Sequence, residues 1–268
     1  MMNWKQLISA KRFGMEEFHE ERQENRSEFQ RDYDRLIFSA PFRRLQNKTQ
    51  VFPLPGSVFV HNRLTHSLEV ASVGRSLGDD VAKALLERHP ELQDSFLPEI
   101  GSIVSAACLA HDLGNPPFGH SGEKAISTFF SEGKGVRLKE KQPNGEQLSP
   151  MEWEDLTHFE GNANAFRILT HQFEGRRKGG FVLTYTTLAS IVKYPFSSSL
   201  AGTKSKFGFF VSEEESFQKI ATELGLTLLN EHPLKYARHP LVYLVEAADD
   251  ICYQMMDCLL YTSPSPRD

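Results

Sequence analysis

The 268-residue sequence predicts an all-α protein, and three segments carry that expectation. Residues 64–88 place Val70, Val73, Leu77 and Val81 at steps of three and four with charged positions between them, which is the period of one helical face. Residues 101–113, GSIVSAACLAHDL, form an apolar stretch of small residues that ends at Gly114 and runs into Asn115-Pro116-Pro117, a helix stop. Residues 240–257 set Val242, Val245, Asp249, Tyr253 and Met256 along one helical stripe.

The remaining elements follow in order. A helix begins near Ser121, and another starts around Glu160 and Asn162. Residues 132–155 and 197–215 are rich in Gly, Ser, Lys and Glu and read as long loops or lids. The run FVLTYTTLASIV, 181–192, stays open between strand and helix, because its residues favour a strand and its surroundings a helix.

A hydrophobic content of 40% suits one large core, or a large domain with a smaller appendage. No apolar run approaches the ~20 residues needed to span a bilayer, and the N-terminus lacks a cleavable apolar leader, so the default localisation is cytoplasmic. Three cysteines, Cys108, Cys252 and Cys258, are too few and too scattered for a disulfide framework and fit a reducing compartment. A net charge of -5 argues against bulk binding of nucleic acid. The C-terminal Cys258–Asp268, CLLYTSPSPRD, breaks the helical pattern and resembles a translated adapter sequence. The expected organisation is therefore one domain over 1–257, the N-terminal part of a longer protein, and a non-native tail over 258–268 that cuts the last helix short. Without Arg267 and Asp268 the net charge is unchanged.

Three segments combine polar residues with apolar stripes: HNRLTHSLEV, HDLGNPPFGHSGE and VEAADDICYQMMD. His66 precedes Val70 and Val73 by four and seven residues and so faces their buried side. His111 follows Ile103 and Ala107 on the same face, and Asp249 lies between Val245 and Tyr253. Taken singly, each has an ordinary explanation: a hydrogen-bonded core histidine, a helix C-terminal pairing with the dipole, a solvated acidic face. Together, inward-facing imidazoles and carboxylates on separate helices are best explained by a shared divalent metal ion, because buried carboxylates are costly unless paired or coordinated. His66, His111, Asp112 and Asp249 are the expected ligands. Two nitrogens and two oxygens suit Mg or Mn first, and are also compatible with Co, Fe or Zn.

Across RDYDRLIFSAPFRRLQNKTQVFPL, HNRLTHSLEV, HDLGNPPFGHSGE, FEGNANAFRIL and the ADDICY helix, in the family's order, the chain resembles the deoxyguanosine triphosphate triphosphohydrolases of the HD superfamily. The resemblance runs from about Arg31 to Asp257. It implies a helical HD fold around a single metal site, hydrolysis of dGTP or another dNTP to deoxynucleoside plus intact triphosphate, and a homo-oligomeric full-length protein. By position it repeats the four metal ligands and makes His120 and Glu123 the catalytic pair, with the carboxylate holding the imidazole tautomer. Tyr253 and Asp257, four and eight residues after Asp249, match sugar-contacting groups. Arg63 and Gln46 stand where the family has residues near the phosphates and the base or sugar, and Asn115 lies at the pocket. Arg43, Arg44, Lys48, Lys193 and Tyr194 are further phosphate-side candidates, and Glu160 and Asn162 border the site. Two rival readings use the same pattern: an HD-family nucleotidase or phosphodiesterase, for which FRRLQNKTQ and FEGNANAF have no evident purpose, and a non-catalytic HD-like regulatory protein, which would not need every ligand retained.

Overall fold

The computed structural model describes residues 2–17, 26–48, 62–140, 146–175, 178–202 and 206–262, the last seven of these by backbone alone. Its helices are α1 (Trp4–Leu7), α2 (Glu28–Ile37), α3 (Ala40–Arg44), α4 (Arg63–Arg88), α5 (Ile100–Ala110), α6 (His120–Ser131), α7 (Pro150–Thr157), α8 (Gly161–Thr170), α9 (Tyr185–Ile191), α10 (Glu214–Glu223) and α11 (Val242–Thr262). Among the described residues the sheet content is one antiparallel pair, β1 (Leu228–Asn230) with β2 (Lys235–Tyr236). The all-α expectation holds.

Helix α5 is the axis of the molecule, and every residue of it is buried. Helices α4, α2, α9 and α11 pack around it. Ile100, Ile103, Val104 and Leu109 are fully buried, each stabilising the fold by roughly 1.5–3 kcal/mol relative to exposure. Its small residues let neighbours approach closely: a Cβ added to Gly78 of α4 would stand 2.7 Å from the Gly101 Cα. For that reason the buried face of α4 runs along Val70, Gly74, Gly78 and Ala82, while Val73, Leu77 and Val81 flank it half-buried. The large apolar residues mark the helix, but the small ones mark its contact line. The buried Ser105 hydroxyl donates to the Ala71 carbonyl at 3.0 Å, so this interface leaves no cost for its polar atom.

Several expectations need correction. Residues 132–155 and 197–215 are not simply loops or lids. They contain α7 and short 3-10 turns at Lys134–Lys139, Ser198–Leu200 and Val211–Glu213. Helix α7 starts with a capping box, in which the Ser149 hydroxyl accepts from the Glu152 N–H at 3.2 Å and the Glu152 carboxylate accepts from the Ser149 N–H at 2.8 Å. Phe207 and Phe209 are fully buried, which anchors the second segment to the core. The open run 181–192 resolves as helix α9, capped by Thr184. The last helix is not cut short at Cys258. It continues to Thr262, because Leu259 and Leu260 are good helix formers and the first breaker in the sequence is Pro264. Residues 263–268 of the expected tail lie outside the described residues. No described helix is long and apolar enough to cross a membrane.

His239 ties the two ends of the described chain together. Its ring sits 3.0 Å from the Leu7 carbonyl through Nε2 and accepts the Leu241 N–H at 3.2 Å through Nδ1. A carbonyl only accepts and an amide only donates, so the neutral tautomer protonated on Nε2 is selected. Burial lowers the pKa to about 4, against the weaker opposing effect of the Leu7 hydrogen bond. A histidine with a depressed folded pKa stabilises the fold above its unfolded value, near 6.5, and that stability is lost as pH falls towards 4. Lowering the pH from about 7.5 to about 5 is expected to remove about 2 kcal/mol through this group. Urea unfolding of wild type and His239→Gln at both pH values checks it, since the pH dependence should shrink by that amount in the variant.

Candidate metal centre and active-site cleft

The positions of the candidate ligands are set by local rules. Asn62 caps α4 through its side-chain oxygen, which accepts from the Leu64 and Thr65 N–H groups at 3.1 and 3.0 Å. This places Arg63 at the first helical position and His66 one turn inside. Helix α5 ends at Ala110, and the turn after it carries His111 and Asp112. Asp249 comes from the second turn of α11.

These four residues converge. Donor atoms of His66, His111 and Asp112 all lie within 4.8 Å of one another. Asp249 Oδ1 stands 2.8 Å from His66 Nε2 and 3.5 Å from His111 Nε2. Asp250, the neighbouring acid, is exposed. The His111 Nδ1–H donates to the Cys108 carbonyl at 2.6 Å, which leaves Nε2 as the lone-pair nitrogen. That Nε2 is buried and, as a lone-pair nitrogen, meets no donor, with Asp112 Oδ1 3.6 Å and Asp249 Oδ1 3.5 Å away. An orphaned imidazole nitrogen aimed between two carboxylates fits a divalent metal ion.

The electrostatics agree. Burial opposes charge on His111, but Asp112 and Asp249 outweigh it and raise its pKa to about 9, so in the metal-free site Nε2 takes up a proton that a metal ion would replace. Burial also opposes ionisation of Asp249, yet the hydrogen bonds and charges of His111 and His66 hold it well below the usual carboxylate range. Asp112 is lowered in the same way, against burial, by His111 and Arg63. The pocket therefore calls for positive charge between its carboxylates. Arg63 supplies some of it, with NH1 2.7 Å from Asp112 Oδ2. The Asn115 amide donates to the other oxygen, Oδ1, at 2.5 Å.

A cleft of about 360 Å³ opens beside these groups, and His111, Asp112, Asp249, His120, Glu123 and Tyr253 are among its walls. His120 begins α6 after Gly119, whose φ of +53° is backbone that favours glycine. The exposed His120 ring places Nδ1 2.8 Å from Glu123 Oε2. Glu123 Oε1 accepts the Gly161 N–H at 2.8 Å, and Lys206 lies 3.5 Å from Oε2. Burial works against the Glu123 carboxylate, but the His120 and Gly161 hydrogen bonds lower its pKa. Tyr253 stacks at a tilt against His66, ring centroids 4.7 Å apart. Burial and the charges of Asp112 and Asp249 push its phenol upward, so it stays protonated. A larger depression around Gln6, Lys219 and Glu223 is shallower and brings no comparable set of groups together.

Not every expected residue meets in the cleft. Arg63 is 4% exposed and its NH1 is engaged by Asp112. Gln46 is exposed on the turn after α3, and Arg43 and Arg44 are exposed at the end of α3. Asp257 lies one helical turn beyond Tyr253, with its side chain outside the described residues. Lys193 and Tyr194 line the cleft, and Lys193 pairs with Glu246 at 2.8 Å. Glu160 is fully buried as the cap of α8, while Asn162 lines the cleft. Sequence reasoning missed Lys206, Ser190 and Glu246 as lining residues. The run KFGFF was the available signal for Lys206, since closely spaced phenylalanines dock a segment instead of leaving it mobile.

Residues 63–179 match the HD domain. Over 96% of its length the chain is also similar to proteins named deoxyguanosinetriphosphate triphosphohydrolase-like: 45% identical to one from Synechocystis sp. and 47% to one from Pseudomonas aeruginosa. A protein from Yersinia enterocolitica named deoxyguanosinetriphosphate triphosphohydrolase is 37% identical over the same share. The chain spans 59%, 56% and 54% of the lengths of these three relatives.

The Arg63–Asp112 pair makes a prediction about the metal-free protein. Arg63→Ala leaves Asp112 buried without its charged partner and is expected to lower the unfolding free energy by about 3 kcal/mol. Urea denaturation in chelator checks it, and added divalent metal should restore part of the loss.

Proposed function

We propose that this chain is the HD-domain portion of a metal-dependent enzyme that hydrolyses dGTP, and other deoxynucleoside triphosphates, to the deoxynucleoside and intact inorganic triphosphate. The observation that carries the reading is the orphaned His111 Nε2, aimed between two depressed-pKa carboxylates and bordering the same cleft as a His120–Glu123 pair. The names of the relatives over 96% of the chain point to the same substrate.

In this reading His66, His111, Asp112 and Asp249 hold one divalent ion. When bound, the ion supplies Lewis-acid polarisation of phosphoryl oxygen and neutralises charge that develops there. The chain's own residues do the rest. His120 Nε2 faces the proton of the attacking water or of the leaving 5′-oxygen, and Glu123 on Nδ1 fixes the tautomer that leaves Nε2 able to act. Gly161 and Lys206 keep Glu123 ionised and still. Asn115 and Arg63 orient Asp112 through its two oxygens. Tyr253 presents its ring to the sugar and crowds the position of a 2′-hydroxyl, with Asp257 next along the helix. Gln46, exposed on the turn after α3, is the proposed contact to the base or sugar from outside the cleft wall. The proposed HD-domain portion runs over residues 1–257.

Two measurements test this on the whole gene product. Incubation with dGTP, GTP and dCTP plus Mg or Mn, with identification of the phosphate product, should give triphosphate from dGTP and spare GTP. Orthophosphate would favour a nucleotidase, and no turnover a regulatory HD protein. His111→Ala or Asp112→Ala should abolish both metal binding and turnover, a rate loss of at least about a thousandfold. Wild-type turnover in either variant would sink the ligand assignment.

A further inference from the structure

We propose that Lys48 is a positioning residue for the metal centre, a clamp that fixes the His66-bearing helix against the His111–Asp112 turn. The proposal rests on the metal centre described above and adds to it a residue that touches no proposed ligand side chain.

Lys48 makes two kinds of contact with the site. Its own carbonyl accepts the N–H of Arg63, the first residue of α4, at 3.3 Å. Its ammonium donates to the carbonyls of Leu113 at 3.1 Å and Asn115 at 2.9 Å, which follow Asp112 in the ligand-bearing turn. One residue therefore grips the start of the helix that carries His66 and the two carbonyls that shape the turn carrying Asp112. The spacing of His66 from Asp112 depends on both being held.

The surroundings argue that this position is used for holding. Lys48 is half-buried beside Arg63, a second cation, and burial together with that neighbour lowers its pKa. A lysine placed there against like charge needs strong acceptors, and two carbonyls provide them. The turn's own backbone contributes the Leu113 N–H to Ala110 and Asn115 N–H to Asp112 hydrogen bonds. The Leu113 and Asn115 carbonyls are taken by Lys48, and the Asn115 side chain in turn holds Asp112 Oδ1 at 2.5 Å. Removing the ammonium frees Asn115, and through it one oxygen of a ligand.

The test compares wild type, Lys48→Met and Lys48→Arg in the whole gene product. Mn(II) affinity is read by electron paramagnetic resonance of the free ion, the ligand field by the Co(II) visible spectrum, and the fold by thermal melting. Lys48→Met should weaken Mn(II) about tenfold and alter the Co(II) bands at temperatures where it is fully folded, as outer contacts to metal ligands commonly do. Lys48→Arg, which keeps charge and donors in a different shape, should fall between. Unchanged affinity and spectrum in Lys48→Met would overturn the proposal, as would a loss that only tracks a lowered melting temperature. If Lys48→Met fails to fold, Lys48→Arg decides by the same two readings. A wild type that binds no Mn(II) would instead overturn the metal centre itself, and the clamp with it.

Discussion

A fully buried helix that ends in a histidine and an aspartate imposes the constraint on which the rest depends. Helix α5 has no exposed residue, so the polar groups that follow Ala110 enter a region where unpaired charge is expensive. Each of them is met by a specific neighbour. Cys108 takes the His111 Nδ1–H, Arg63 and Asn115 take the two Asp112 oxygens, and Asp249 comes in from α11. The nitrogen left over, His111 Nε2, is where the arrangement remains electrostatically incomplete.

Satisfying that one place recruits most of the fold. Helix α4 must approach α5 closely enough to deliver Arg63 and His66, and glycines along the contact allow it. Helix α11 must cross both to deliver Asp249 and Tyr253. Helix α8 docks its first turn on the opposite wall: the Gly161 N–H holds Glu123, and the Asn164 amide donates to the Gly114 carbonyl at 2.8 Å. The two halves of the cleft, metal side and His120 side, are thus fixed to each other by backbone contacts as well as by packing. Such rigidity is what a site needs if its groups are to be held in a working geometry before the substrate arrives.

Helix α5 and the inward direction of His66, His111 and Asp249 were legible in sequence because helical periodicity is a local property, repeated several times along each segment. The contact line of α4 was less legible. Periodicity pointed to valines and leucine, but close helix packing is set by the smallest side chains, and their importance depends on a partner that is distant in sequence. The segments taken as lids were misjudged for a related reason. Their composition is polar, yet one capping box and a few phenylalanines were enough to order them against the core.

Sequence alone indicated the helical class and the inward faces of His66, His111 and Asp249, since these follow from the 3.6-residue repeat and the cost of burying charge, while the preference for Asp249 over its neighbour came from the family resemblance. Only the tertiary structure decided how those residues are completed. It turned Arg63 inward to Asp112, left Gln46 outside the cleft, brought Lys206 to Glu123 and set Lys48 between α4 and the ligand turn. The reason is physical: a side chain's direction along a helix is fixed by its own neighbours, but its partner across the core is fixed by how helices remote in sequence pack.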